Sequence, residues 1–195
     1  MAVEFTLALL TPGFGRPGKP MVEPRGIVVH WTANQQPTAD AMANRNWFET
    51  FRGYKVSAHY IVDDRRVVLC VPEQEIAYGA GTATKPEALT LFGRTPNNHA
   101  IHIEWCVNRG SNGGETYKNV VALCGDLMAR YRWGIGNLLR HFDVTGKLCP
   151  AFFVDDRWAA QMGFQAGAAA VWQQFRRDCV IAVRAAELIL ARGGG

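Results

Sequence analysis

The stretch from Arg140 to Pro150, RHFDVTGKLCP, holds a histidine and a cysteine eight residues apart, His141 and Cys149, with Lys147 just before the cysteine. Imidazole and thiolate are both metal ligands, but two ligands cannot close a site, so a third must come from elsewhere in the chain. Of the five histidines, His30 stands out because it lies at the end of GIVVHW. That run is short, β-branched and otherwise apolar, and reads as a buried strand in which a core residue would be expected. Two imidazoles and a thiolate with no fourth protein ligand make an open zinc site, leaving one position for water or substrate. Each residue alone has a plainer reading. A histidine on an apolar strand is commonly a hydrogen-bonded core residue, and a free cysteine commonly behaves as a small buried hydrophobe. Spacing leaves both readings open.

The elements that must position these residues can be read from periodicity. Residues 11–25 carry four prolines and three glycines and read as an extended, structured lead-in without regular elements. After the GIVVHW strand, TADAMANRNWFETFR reads as a helix, with Thr38 as its N-cap and Met42, Trp47, Phe48 and Phe51 as its apolar stripe. SAHYIVD and RVVLCV read as a hairpin turning at DDR. AIHIEWCV alternates as a further strand, with Ile101, Ile103 and Trp105 on one face and His102, Glu104 and Cys106 on the other. A long helix, ETYKNVVALCGDLMARYRW, leads into the His141–Cys149 segment, which reads as a loop. Two more helices follow, DDRWAAQM and the unusually long AAAVWQQFRRDCVIAVRAAELILAR. Strands alternating with helices point to an α/β domain around one sheet. No repeat, low-complexity tract or linker interrupts the chain.

Composition narrows the function classes. At 195 residues, 48% hydrophobic and 19% charged, the chain has the make-up of one globular domain with a real core. The net charge of +4 is modest and spread out, which argues against a nucleic-acid binder and suits an encounter with an anionic surface such as a bacterial wall. Five cysteines, an odd count without small-scaffold spacing, argue for reduced thiols rather than a disulfide framework. The six-residue FTLALL has no basic flank and is neither a signal peptide nor a membrane span. The expectation is a protein made in the cytoplasm; action outside the cell would need another way out.

IVVHWTAN, SAHYIVDD, IHIEWC and HFDVTGKLCP together resemble the zinc-dependent N-acetylmuramoyl-L-alanine amidases of the peptidoglycan-recognition and phage-lysozyme superfamily (amidase type 2). The likeness is strongest to the catalytic domains of Gram-positive phage endolysins and prophage autolysins. It covers roughly residues 8–158, with the four motifs in chain order. The fold this implies is a central mixed β-sheet flanked by helices with zinc in a surface groove. A C-terminal helical extension, about 159–195, ending in the long helix, follows the family core, so that 1–195 is expected to form a single amidase domain. The resemblance implies one zinc ion per chain on His30, His141 and Cys149, with Glu104 and Lys147 as catalytic residues. It also suggests Tyr78 and Asn34 as substrate-binding candidates. The implied activity is hydrolysis of the amide between N-acetylmuramic acid and L-alanine in peptidoglycan, as an endolysin or autolysin.

Other readings compete at several positions. Glu104 could be an ion-paired strand residue and Lys147 an ordinary surface lysine. Asp143 either orients His141 or caps the segment. His59 reads as a hydrogen-bonded strand histidine, while His99 and His102, which flank Glu104, either tune its pKa or are simple surface variation, the second reading being preferred. The chain also departs from the family where many relatives carry WHAG: here residues 77–81 read AYGAG, with Tyr78 keeping the aromatic and Gly79 replacing the histidine. Metal binding should survive that change, whereas a substrate contact is put in doubt. Two rival functions are a non-catalytic peptidoglycan receptor and a cytosolic recycling amidase acting on anhydro-muropeptides. Cys149 counts against both, since such receptors usually lose the thiolate and recycling amidases typically carry aspartate there. For assembly, the expectation is a monomer or a weak homodimer through the C-terminal helix, whose seam would be Val171, Phe175, Cys179, Val183, Ala186 and Leu190.

Overall fold

The computed structural model describes residues 4–193, with side chains to residue 189 and at 191. Six strands form one mixed sheet: β1 (Glu4–Leu7), β2 (Gly26–Trp31), β3 (Tyr60–Val62), β4 (Arg66–Leu69), β5 (Ala100–Trp105) and β6 (Leu138–Arg140). Their order is β1-β4-β3-β5-β2-β6. Only β3 and β4 pair antiparallel, across the turn at Asp63–Arg65; every other pairing is parallel. The helices are α1 (Ala41–Thr50), α2 (Pro86–Phe92), α3 (Gly113–Tyr131), α4 (His141–Thr145), α5 (Asp156–Gln161) and α6 (Ala168–Gly193).

Alternation along β2 and β5 divides the sheet into two unlike faces. Ile27, Val29, Ile101, Ile103 and Trp105 pack on one side against Leu123, Leu127 and Met128 of α3 and Val171, Trp172 and Phe175 of α6, forming the main core. The other face carries two smaller clusters. One joins Ile61, Val68 and Cys106 to Ala41 and Phe48 of α1. The second joins Val28 and Leu139 to Ala88, Phe92 and Val144, and so fastens α2 and α4 to the sheet. Between them, at the middle of the face, stand the side chains of β2 and β5 that point away from the main core: His30, His102 and Glu104.

Several local readings needed revision. The N-cap of α1 is Asp40, whose Oδ1 accepts from the Ala43 N–H at 2.8 Å, and Thr38 stays outside the helix. Both residues are good caps; Asp40 begins the turn that carries Ala41 into the core. β1, β6 and α2 were not anticipated, because segments of three to seven residues show too little periodicity. α2 did carry signals, with Pro86 in its first turn and Gly93 at its C-cap with φ +66°. The segment 140–150 is not wholly a loop: Arg140 ends β6, and His141 opens the one-turn helix α4. The lead-in is extended as expected, tied down by an Arg16–Glu75 ion pair and a bridge between Pro20 and Glu75.

Candidate metal centre

Three separate segments bring the ligand candidates together. His30 is the penultimate residue of β2, His141 follows β6 directly, and Cys149 sits three residues beyond the C-cap of α4. β2 and β6 are hydrogen-bonded neighbours, so the two histidines emerge from the same end of adjacent parallel strands. The Phe142 N–H donates to the Cys149 carbonyl at 2.9 Å, closing the segment into a ring that returns the cysteine to the histidine. Gly146, at φ +81°, provides the left-handed C-cap that makes this return possible.

The donor atoms converge. His30 Nδ1 and His141 Nδ1 stand 3.0 Å apart, Cys149 Sγ lies 3.9 Å from His30 Nδ1, and all three atoms fall within 4.8 Å of one another. A tetrahedral ion with bonds of about 2.0–2.1 Å to nitrogen and 2.3 Å to sulfur holds such donors ~3.3–3.6 Å apart. The two distances to His30 Nδ1 lie close to that spacing, so the trio offers the donor set of an open zinc site. All three residues are buried. Burial, more than any neighbour, keeps both imidazoles neutral: His141 is lowered to about 4 and His30 well below its ordinary range. Neutral imidazoles have free lone pairs, which is what a metal requires. Burial also pushes the Cys149 thiol up to about 12, helped by the Glu104 charge and opposed by the Trp31 N–H and Lys147. Without a cation this cysteine is a thiol.

Glu104 is the register partner of His30 on the neighbouring parallel strand, and both side chains point to the same face. Its Oε2 is shielded from solvent and has no hydrogen-bond partner, so the alternative reading as an ion-paired surface residue does not describe it. Burial raises its carboxyl to about 8, with Lys147 acting in the opposite direction. Lys147 itself is exposed, but its charge acts on His30, Glu104, His141 and Cys149, so it stands at the rim of the same site. Asp143 accepts from the Arg140 backbone N–H and guanidinium at 2.7–3.0 Å. It is therefore a cap and an ion-pair partner, with no hydrogen bond to His141.

His102, read from sequence as surface variation, is fully buried with its Nδ1 3.0 Å from His30 Nε2. The alternation of β5 gave its direction but could not give its depth. His99 is peripheral, with Nδ1 near the Glu23 carbonyl. His59 is hydrogen-bonded as expected: its Nδ1 accepts from the His102 backbone N–H at 2.9 Å, and its Nε2–H donates to the Glu75 carbonyl at 2.9 Å. Gly79 lies against the His102 ring, where any Cβ would collide with Cγ. Asn34 is exposed, accepts from the Gln36 N–H at 3.1 Å, and lines a cavity of about 530 Å³ with Thr32, Asn44 and Trp47. Tyr78 lines a different cavity, of about 390 Å³, and the Lys55 ammonium lies 5.4 Å from its ring centre. The substrate candidates are not brought into one cavity.

Comparison with known proteins gives a consistent result. Residues 19–152 match the sequence profile of a family described as N-acetylmuramoyl-L-alanine amidase. The chain is 34% identical over 148 residues to N-acetylmuramoyl-L-alanine amidase CwlL of Bacillus licheniformis, covering 73% of this chain and 40% of that protein. It is 30% identical over 150 residues to amidase XlyA of Bacillus subtilis, covering 76% of this chain and 47% of that protein. Among solved structures, the catalytic domain of XlyA superposes with a TM-score of 0.71 at 26% identity, covering 91% of this chain and 99% of that one. PlyL superposes with a TM-score of 0.68 at 25% identity, covering 91% and 97%. The chain spans less than half the length of these two curated relatives.

Proposed function

Since the chain belongs to the N-acetylmuramoyl-L-alanine amidase family, we propose that it hydrolyses the amide between the lactyl group of N-acetylmuramic acid and the L-alanine of the peptidoglycan stem peptide, using one zinc ion on His30, His141 and Cys149. The observation that carries this reading is the convergence of two neutral imidazoles and a thiol from three segments, with the Glu104 carboxyl beside them. Zinc held there would polarise the scissile carbonyl and lower the pKa of a water molecule.

The chain's own groups account for the rest. Cys149 gives up its proton when it becomes a ligand. Glu104 is the general base. Burial raises its carboxyl to about 8, and beside a bound cation it would ionise more readily, as a general base requires. It takes a proton from the attacking water and returns it to the departing alanine nitrogen, so that the C–N bond breaks to a carboxylate and an amine. The Lys147 ammonium at the rim offers a positive charge to the oxygen that becomes negative as the tetrahedral centre forms. Asn34 and Tyr78, on separate cavities, are assigned to different parts of the substrate. The cavity beside Thr32 continues the face on which His30 stands and suits a polar glycan–peptide chain. We also read 1–195 as one domain, since α6 packs on the main core despite lying beyond the matched residues. In this reading the protein acts at the cell wall as an endolysin or autolysin. The Cys149 thiol counts against a non-catalytic receptor.

Metal analysis should find one zinc ion per chain. Chelation should abolish the release of new amino-terminal alanine from purified walls, and added zinc should restore it. Full activity after verified metal removal would overturn the proposal. Comparing intact sacculi with soluble muropeptides separates wall lysis from recycling, and the reading here requires sacculi to be cleaved.

A further inference from the structure

His102 plays no part in the mechanism above, yet its surroundings hold it closely. It is buried, its ring lies against Gly79 and tilts face to face with His59 at 21°, and its backbone N–H is held by His59 Nδ1. His59 is held in turn through its Nε2–H on the Glu75 carbonyl. This fixes both strand and ring. The one side-chain hydrogen bond of His102 goes to His30, Nδ1 to Nε2 at 3.0 Å. Its own Nε2 is shielded and has no partner. A buried polar nitrogen left unpaired is destabilising, so an apolar residue would serve the core better. Something other than packing is needed to explain a histidine here.

The tautomers supply the explanation. His30 can offer its Nδ1 lone pair to a metal as a neutral ligand only if its single proton is on Nε2. A proton there needs an acceptor in a site closed to water, and His102 Nδ1 is placed to be that acceptor. We propose that His102 is a positioning residue that accepts the Nε2–H of His30 and so holds His30 in the tautomer and orientation that present Nδ1 to the metal, with Gly79 leaving the space its ring requires. The proposal rests on the zinc reading given above. Partners of this kind hold a ligand's ring in place, and losing one typically costs about 10–100-fold in metal affinity.

The test is zinc affinity, by competition with a chromophoric chelator, together with the melting temperature of the metal-free protein. His102→Leu, of similar bulk but with no acceptor, should lose roughly 10–100-fold in zinc affinity while the metal-free protein melts no lower than wild type. His102→Asn, which restores an acceptor near the same place, should recover most of the loss. Gly79→Ala should weaken zinc binding by displacing the ring. The zinc-loaded wild type allows a check that needs no variant: nitrogen NMR should show His30 protonated at Nε2 and His102 unprotonated at Nδ1. Wild-type zinc affinity in His102→Leu, or a proton found on His102 Nδ1, would overturn the assignment while leaving the metal site intact. A wild-type chain that takes up no zinc would overturn both this inference and the reading on which it rests.

Discussion

Replacing Glu104 by alanine is expected to remove nearly all hydrolysis, by about 10²–10⁴-fold, because proton transfer to and from the reacting groups has no other carrier at that position. Zinc content should be unchanged, since Glu104 is not among the three convergent donors. Zinc loss in Glu104→Ala would make it a ligand or ligand support, and more than about a tenth of wild-type rate would deny it the base role. Lys147→Ala should cost less, because a zinc ion in the site would polarise the same carbonyl. Burial also sets how the metal-free protein responds to pH. The Glu104 carboxyl is raised from 4.5 to about 8, so its contribution favours the fold below 4.5 and is lost as pH rises through 8. Cys149 must shed a proton to bind zinc, so binding strengthens as pH rises. His141 is lowered to about 4 and affects the free and loaded proteins alike between about pH 6 and 8. Both active terms share a sign, and zinc should raise the melting temperature more at about pH 8 than at about pH 6. An equal or smaller rise at the higher pH would contradict this. At this scale His30, His141 and Cys149 were legible as candidates through the motifs that carry the family resemblance, since spacing alone left the plainer readings open. His102 was not, because alternation tells which way a strand side chain points but not what covers it.

At the scale of elements, α3 and α6 pack together on the side of the sheet opposite the site. Gly125 of α3 meets α6 directly: an added Cβ would stand 2.5 Å from Ala182 Cβ and 2.8 Å from the Ala182 carbonyl carbon. No side-chain rotation can relieve a clash with backbone, so Gly125→Ala should push the helices apart and cost about 1–3 kcal/mol, read from chemical unfolding. An unchanged midpoint would show that α6 gives way freely. β2, β5 and the long helices were readable because each carries a full period of its apolar pattern, and β3 and β4 because the turn at DDR joins them. β6 and α4 were not, although they deliver His141, since three strand residues and one helical turn have no period to detect. Their place is fixed by partners distant in sequence, with Leu139 and Val144 in the cluster that holds α2.

For the whole molecule, α6 raises the question of assembly. Val171, Phe175 and Cys179 of the expected seam are buried in the main core and Val183 packs on its edge, while Ala186 is half-buried; the Leu190 side chain lies outside the described residues. On the same helix, Ile181, Leu188 and Ile189 are exposed. A chain ending at Ala186 keeps every described residue of α6 that packs in the main core. Light scattering should give it a lower mass per particle than the full chain if the exposed residues pair two molecules, and identical monomer masses would rule that pairing out. No described helix is long and apolar enough to cross a membrane, and all five cysteines are free and buried. The central claim, a zinc-dependent cut between lactyl group and L-alanine, is tested most directly by mass spectrometry of the products from purified walls, with and without chelator. The products should be glycan strands with intact lactyl carboxylates and stem peptides beginning with free L-alanine, both absent when zinc is withheld. Cleavage at a glycosidic bond or within the stem peptide, or the same products without zinc, would contradict it.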